Sequence, residues 1–166
     1  MKKEQLTYDE FKSEIINDFK LACLSREASL LGRKEVLSGK AKFGIFGDGK
    51  EIAQIAMAKA FKKGDFRSGY YRDQTFMMAI GELSLDAFFF QLYSETNINK
   101  EPASGGRQMN NHFATRSLDK NGDWKNLTNQ YNSSSDISPT GSQMPRLLGL
   151  AHASKTYRNI PKINAD

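Results

Sequence analysis

The sequence Phe66-Arg67-Ser68-Gly69-Tyr70-Tyr71-Arg72-Asp73 joins two segments that have helical patterns. Its aromatic residues are typical of a short extended segment, and a helical pattern follows from Asp73 to Ile80. Arg72 therefore precedes a helix start, where the positive end of the helix dipole and the donors of Arg72 and Tyr71 suit a phosphate group. A surface contact of Arg72 with Asp73 or a glutamate explains the same residues equally well. Both interpretations stay open for this segment alone.

Residues 7–39 predict a long helix region. Thr7-Tyr8-Asp9-Glu10 has the form of a capping box, in which Thr7 is the N-cap and Glu10 reaches back to it. Gly39 is expected to end the helix. Cys23 falls within this pattern and is expected to be a small buried residue. A stripe of apolar residues at helical spacing is expected to pack into the core: Phe11, Ile15, Phe19, Ala22, Leu24, Ala28 and Leu31.

Residues 40–94 predict helices on both sides of Tyr71-Arg72-Asp73. The turn Gly47-Asp48-Gly49 precedes a helix from about Lys50 to Phe61, for which Asp48 is the expected cap. This turn lacks the spacing of a phosphate-binding P-loop. A further helix is predicted from Ser84 to Tyr93. The inward-facing residues of the helix after Lys50 are predicted to be Ile52, Ile55, Ala56 and Ala60.

Residues 95–142 are rich in Gly, Ser, Asn, Thr and Asp and have little periodicity. A polar segment of this length is either disordered or functional. Within it, His112 follows two glycines, and a histidine in a loop is suited to proton transfer near neutral pH. An exposed histidine without a role is an equally good explanation.

The segment from Ser138 to Gln143 places hydroxyl groups, a turn and a helix start together. It is either an ordinary capped turn or a helix terminus presented to a ligand, with the oxygens of Ser142 and Gln143 available to a hard cation. Residues 143–158 predict the last helix, which contains Pro145 near its start. His152 lies in this helix and is expected to be structural.

Length and composition favour one soluble globular domain over residues 1–166. The chain has 39% hydrophobic and 26% charged residues and a formal charge of +5, with basic residues mostly alternating with acidic ones. Because no dense basic block is present, nucleic acid is not an expected partner. No apolar run approaches the roughly 20 residues of a membrane span. The single cysteine and the lack of an apolar leader predict a reducing compartment, taken to be the cytoplasm.

Four motifs, in this order, resemble the alpha subunit of the thiamine-diphosphate-dependent dehydrogenase component of 2-oxo acid dehydrogenase complexes. The branched-chain, 2-oxoisovalerate type is the most similar branch, and pyruvate and acetoin types follow. The motifs are Gly49-Lys50-Glu51, Tyr71-Arg72-Asp73, Arg107-Gln108-Met109 with His112, and Ser138-Pro139 with Ser142-Gln143-Met144-Pro145.

The resemblance implies a thiamine diphosphate-binding α/β fold, here its truncated N-terminal part, mostly helical with long loops. It implies that Tyr71 and Arg72 contact the cofactor diphosphate, that Ser138 and Thr140 line the cofactor, and that His112 in the active-site loops of residues 95–142 assists proton transfer. It further implies a site for a monovalent cation such as K⁺ at Pro139, Ser142 and Gln143.

The same resemblance implies an oligomeric enzyme that decarboxylates a 2-oxo acid and passes the acyl group to a lipoyl-bearing acyltransferase. Its partner is a beta subunit or a fused beta domain, and the Mg²⁺ ligands lie outside this chain. Without them the chain alone is expected to be inactive. Ile45 stands where pyruvate relatives have a histidine, which favours the branched-chain type. The alternatives are a pyruvate or acetoin type, or a non-catalytic helical binding module in which residues 95–142 stay mobile.

Overall fold

The computed structural model describes residues 6–160. The elements are mostly helical, and two short strands pair with each other. The helix predicted over residues 143–158 is confirmed at both ends. In chain order the elements are α1 (Tyr8–Leu37), α2 (Glu51–Ala60), β1 (Phe66–Ser68), α3 (Gln74–Ala79), α4 (Leu85–Leu92), a 3₁₀ turn (Leu127–Asn129), β2 (Asn132–Ser134) and α5 (Gln143–Arg158).

Helix α1 begins and ends as its sequence predicts. The Thr7 side chain accepts a hydrogen bond from the Glu10 backbone N–H, and the Glu10 carboxylate accepts one from the Thr7 backbone N–H, 2.8 Å away. These two bonds satisfy donors that a helix start otherwise leaves free. Beyond the last turn, Gly39 has a φ of +77°, a conformation that glycine adopts at no steric cost.

The predicted packing of the apolar stripe of α1 is wrong for most of its members. Ala22 and Ala28 are buried, but Phe11 and Phe19 are 53% and 67% exposed. Ile15, Leu24 and Leu31 are also exposed, as is Cys23, which was expected to be buried. Small residues, among them Ala28 and Gly32, face the core because α1 approaches its neighbours closely here, since a Cβ at Gly32 would lie 2.4 Å from the Phe46 ring. Most of the large apolar side chains of α1 lie on its outer face.

Helix α2 also differs from its sequence pattern. Ile55 is buried as predicted, whereas Ile52, Ala56 and Ala60 are exposed. Asp48 does not cap the helix, because its carboxylate pairs with Arg33 at 2.7 Å. The polar residues Glu51 and Gln54 take the buried positions instead.

The core is formed where α3 and α4 pack against α1. Phe88 is fully buried and its ring contacts Phe46 and Phe89, with centroids 6.2 and 5.0 Å apart. The predicted helix ends hold here, since Ser84 caps α4 and Gly81 follows α3 with a φ of +79°. The buried members of this core are Ala28, Phe76, Met77, Met78, Leu83, Phe88 and Phe113.

Strands β1 and β2 are parallel, with Phe66 opposite Asn132 and Ser68 opposite Ser134. Because the two strands run in the same direction, the segments that follow them leave the sheet on the same side. The first such segment contains Tyr71-Arg72-Asp73, and the second contains Ser138. This pairing brings together two segments that are far apart in sequence.

Part of residues 95–142 is hydrogen-bonded to earlier parts of the chain through Asn110 and Asn111. Asn110 donates to the Ile45 carbonyl at 2.8 Å and accepts from the Ile45 N–H at 3.0 Å, as a neighbouring strand would. Asn111, at a φ of +61°, donates to the same carbonyl at 2.6 Å. No helix within residues 6–160 is long and apolar enough to cross a membrane.

Candidate functional site

Tyr70, Tyr71 and Arg72 form one cluster directly before α3. The Tyr70 hydroxyl donates to the Tyr71 hydroxyl at 2.7 Å, and an Arg72 Nη donates to the Tyr70 hydroxyl at 3.3 Å. The Arg72 guanidinium lies over both rings, 5.6 and 5.3 Å from their centroids. The two tyrosines therefore orient the guanidinium while leaving several of its five donors for a ligand.

Asp73 is paired with Arg67 and not with Arg72. An Asp73 carboxylate oxygen lies 3.0 Å from Arg67 Nη2 and also accepts the Tyr70 backbone N–H at 3.0 Å. Through these two contacts, the Asp73 carboxylate stabilises the turn that contains Tyr71 and Arg72. The alternative in which an Arg72–Asp73 ion pair explains the segment is therefore wrong.

His112 is buried rather than lying in an exposed loop. Its Nδ1 lies 3.1 Å from the Asn110 carbonyl oxygen, which can only accept a hydrogen bond. A neutral His112 therefore carries its proton on Nδ1, so its Nε2 accepts from the Ser138 hydroxyl at 2.8 Å. The arrangement leaves Ser138 as the group between His112 and solvent, since Ser138 is exposed.

The His112 ring also joins the aromatic cluster. It stacks on Tyr71, with centroids 5.9 Å apart and planes at 20°. Thr140 lies beside the same cluster. The neighbouring hydroxyls of Tyr71 and Thr140 lower the pKa of Tyr70 from its usual value. Four of the five residues predicted for cofactor binding and proton transfer are thus linked by direct contacts, namely Tyr71, Arg72, His112 and Ser138, and Thr140 lies beside them.

The three residues predicted for the cation lie in the turn that precedes and begins α5. The Pro139 carbonyl accepts from the Ser142 N–H at 3.2 Å, and Gln143 Oε1 accepts from the Gly141 N–H at 3.1 Å. Gln143 Nε2 donates to the Ile137 carbonyl at 2.9 Å. The Ser142 side chain makes no capping bond, so its hydroxyl remains a candidate donor oxygen for a cation. Among residues 6–160, no three His, Cys, Asp or Glu side chains group closely enough to hold a metal.

Sequence reasoning missed Arg67, Asp136 and Tyr70. Arg67 is a buried arginine that pairs with Asp136 at 3.1 Å as well as with Asp73. Burial raises the pKa of Asp136 from its usual value, although Arg67 opposes this shift. The available signal was Arg67 itself, a charged residue in an otherwise aromatic extended segment.

A cavity of about 440 Å³ opens between α2, β1 and α5. Its walls include Met57, Phe61, Phe66 and Leu147, together with the carboxylate-bearing Asp73. None of the residues predicted for the cofactor, proton transfer or the cation lines it.

His152, expected to be structural, lies exposed on α5.

Comparisons with known proteins give the family. The family model described as "Dehydrogenase E1 component" matches residues 20–159. The 2-oxoisovalerate dehydrogenase subunit alpha of Bacillus subtilis (strain 168) is 32% identical over 119 residues, which cover 71% of this chain. The chain spans about a third of the length of that curated relative, since the match covers 31% of it. Because the matched segment contains the whole cluster described above, the chain belongs to the dehydrogenase E1 component family of 2-oxo acid dehydrogenases.

Proposed function

We propose that this chain binds thiamine diphosphate through Tyr71, Arg72, Ser138 and Thr140 and acts as the alpha part of a 2-oxo acid dehydrogenase. The observation that carries the proposal is the contact cluster that Tyr71, Arg72 and Ser138 form with His112, beside which Thr140 lies. The Arg72 guanidinium and the hydroxyls of Tyr71 and Thr140 can donate hydrogen bonds to the oxygens of a diphosphate. The fold proposed for the assembled protein is the thiamine diphosphate-binding α/β fold.

The position of Arg72 suits the binding of an anionic cofactor. Arg72 is partly exposed and held by the faces of Tyr70 and Tyr71, so an anion that reaches it meets a preorganised guanidinium. Thiamine diphosphate, when bound, supplies the carbanion chemistry that decarboxylates a 2-oxo acid. The residues of this chain bind, orient and stabilise charge.

His112 and Ser138 are proposed to handle a proton in the active-site loops of residues 95–142. The His112 Nε2 accepts from the Ser138 hydroxyl, and Asn110 fixes the opposite nitrogen as the donor. A proton can therefore move between Nε2 and a reacting group through the exposed Ser138 hydroxyl. Stacking on Tyr71 holds the imidazole beside the proposed cofactor-binding residues.

The proposed substrate is a branched-chain 2-oxo acid, and the acyl group would pass to a lipoyl-bearing acyltransferase. The name of the relative, 2-oxoisovalerate dehydrogenase subunit alpha, supports this choice over a pyruvate or acetoin substrate. A K⁺ site at Pro139, Ser142 and Gln143 is also proposed, supported by the Ser142 hydroxyl, which makes no capping bond. The Mg²⁺ of the cofactor is proposed to take its ligands from outside this chain.

A beta subunit or beta domain is the proposed main partner. The relative is named as an alpha subunit, and α1 presents Phe11, Ile15 and Phe19 to solvent, each at least half exposed. Exposed apolar patches of this kind mark interaction surfaces. We further propose that the assembled enzyme works in the cytoplasm and that residues 1–166 form part of one cofactor-binding domain.

The test is a calorimetric titration of the full-length protein, assembled with its beta partner, with thiamine diphosphate and Mg²⁺. Arg72→Ala should weaken binding by about 1.5–3 kcal/mol, the range for a hydrogen bond to a charged group. The control is Arg116→Ala, an exposed arginine that bonds only the Pro102 carbonyl among the described contacts. Unchanged affinity in Arg72→Ala, or equal losses in both variants, would contradict the assignment.

A further inference from the structure

We propose that Arg67 is a positioning residue, which fixes the spacing between the Tyr70–Arg72 segment and the Ser138–Thr140 segment of the candidate site. The importance of that spacing for ligand binding rests on the proposed function. The spacing itself is a property of this chain and is tested separately below.

The Arg67 guanidinium is almost completely buried and fully engaged. Its side chain is 6% exposed. Its Nη2 lies 3.0 Å from Asp73 Oδ2 and 3.1 Å from Asp136 Oδ2, and its Nη1 donates to the Ser133 hydroxyl at 2.5 Å. A single planar group thus joins the turn before α3 to the segment after β2. Arginine suits this role because its donors have a fixed fork geometry.

The local chain is built around this guanidinium. Its carbon centre lies 5.9 and 5.8 Å from the ring centroids of Phe76 and Phe113. A Cβ at Gly69 would lie 1.8 Å from the Arg67 side chain, so any larger residue there would displace the guanidinium. Residues 67–73 therefore enclose the Arg67 guanidinium.

Both carboxylates held by Arg67 stand next to residues of the candidate site. Asp73 follows Arg72 directly, and Asp136 lies two residues before Ser138. Each carboxylate also accepts a backbone N–H: Asp73 from Tyr70 at 3.0 Å and Asp136 from Phe113 at 3.1 Å. Phe113 in turn follows His112. Arg67 therefore sets the relative positions of the segments that carry Arg72, His112 and Ser138.

Conformational specificity, rather than net stability, is the expected benefit of this arrangement. Buried ion pairs recover little more than their desolvation cost, and apolar replacements of similar volume are often tolerated. Arg67→Met/Asp136→Leu removes the charges of Arg67 and Asp136, keeps apolar volume between the two rings, and leaves the partly exposed Asp73 carboxylate to solvent. Arg67→Lys keeps the charge but loses the planar fork.

The experiment compares these two variants with the parent by NMR of the chain and by thiamine diphosphate titration of the full-length protein assembled with its beta partner. Stacking on Tyr71 shifts the His112 ring protons, so their resonances report the spacing without any ligand. We expect both variants to unfold cooperatively, to move the His112 resonances toward unstacked values, and to weaken ligand binding by about tenfold, or roughly 1.4 kcal/mol. Arg67→Lys should show the smaller change.

Arg116→Met is the matched control, because it removes an exposed arginine outside the cluster. Folded variants that keep the parent His112 resonances and the parent affinity would overturn the proposal. If the assembled parent protein binds no thiamine diphosphate, that result would contradict the proposed function alone, since the His112 resonances still measure the spacing. If the double variant does not fold, Arg67→Lys decides by the same two measurements.

Discussion

The His112 imidazole stacks on the Tyr71 ring at 5.9 Å, while its Nε2 lies 2.8 Å from the Ser138 hydroxyl oxygen. Three separate segments of the chain therefore meet at one histidine. The buried Asn110 carbonyl fixes the neutral tautomer from the other side. A side chain held on every edge is a preorganised group, which is what a site for proton transfer requires.

Replacement of His112 should separate proton transfer from cofactor binding. In the assembled enzyme, His112→Ala is expected to slow acyl transfer by about 10²–10⁴-fold, the usual contribution of an acid–base group. The affinity for thiamine diphosphate should change much less, because Arg72 and Tyr71 remain. Single-turnover kinetics and calorimetry measure the two quantities. Equal losses in both would instead show that His112 only supports Tyr71 by packing.

Gly47 should tolerate no side chain because it packs against the Arg72 backbone. A Cβ there would lie 2.4 Å from the Arg72 carbonyl oxygen. Gly47→Ala is therefore expected to lower the free energy of unfolding by about 1–3 kcal/mol, the usual cost of overpacking, and to weaken cofactor binding as Arg72 moves. Urea unfolding and titration measure the two effects.

The matched control is Gly149→Ala, within α5, where a Cβ would meet no atom within 4 Å. This change should raise stability by about 0.5–1 kcal/mol, because alanine is the better residue inside a helix. A Gly47→Ala variant as stable as Gly149→Ala would show that the close approach to Arg72 is absent in solution.

The Arg26–Glu51 pair should make stability depend on pH in the acid range. Hydrogen bonds from Arg26 hold the pKa of the buried Glu51 at about 2, below its usual 4.5. The contribution of Glu51 is then complete above about pH 4.5 and is lost as the pH falls toward 2. Its size should be on the order of 2 kcal/mol, since the half-exposed Arg26 is screened by solvent.

Urea unfolding between pH 7 and pH 3 measures this dependence. Glu51→Gln should be less stable than the parent at pH 7, and the difference between the two should shrink as the pH falls. Glu82→Gln, at an exposed position, is the control and should leave the pH profile unchanged. If the free energy of unfolding of Glu51→Gln changes with pH in parallel with that of the parent, the pair does not cause the pH dependence.

Two phenylalanines test which face of the molecule is core. Phe88→Ala removes a fully buried ring and should cost about 3–5 kcal/mol of unfolding free energy. Phe11→Ala removes a ring that is 53% exposed and should change stability by no more than about 0.5 kcal/mol. Thermal or urea unfolding of the two variants gives the comparison. A large loss in Phe11→Ala would mean that the outer face of α1 is covered in solution.

The local structure was largely predictable from the sequence, because caps and turns depend on neighbouring residues. Thr7 and Glu10 cap one another, and Gly39 and Gly81 follow helices with positive φ. The order of the Tyr71-Arg72-Asp73, His112 and Ser138 motifs was enough to indicate the family. The roles of these residues remain predictions that the experiments above test.

Burial and long-range pairing depended on the tertiary structure. Helical spacing marked Phe11 and Ile52 as core, yet both are exposed, because periodicity defines a face of a helix and not what lies against it. Arg67 looked like any charged residue, since its partners Asp73 and Asp136 come together only when β1 pairs with β2. The sequence alone determined which groups are present and where helices begin and end. Only the fold determined which groups meet, because contacts between distant segments arise from parallel pairing and packing that no local pattern encodes.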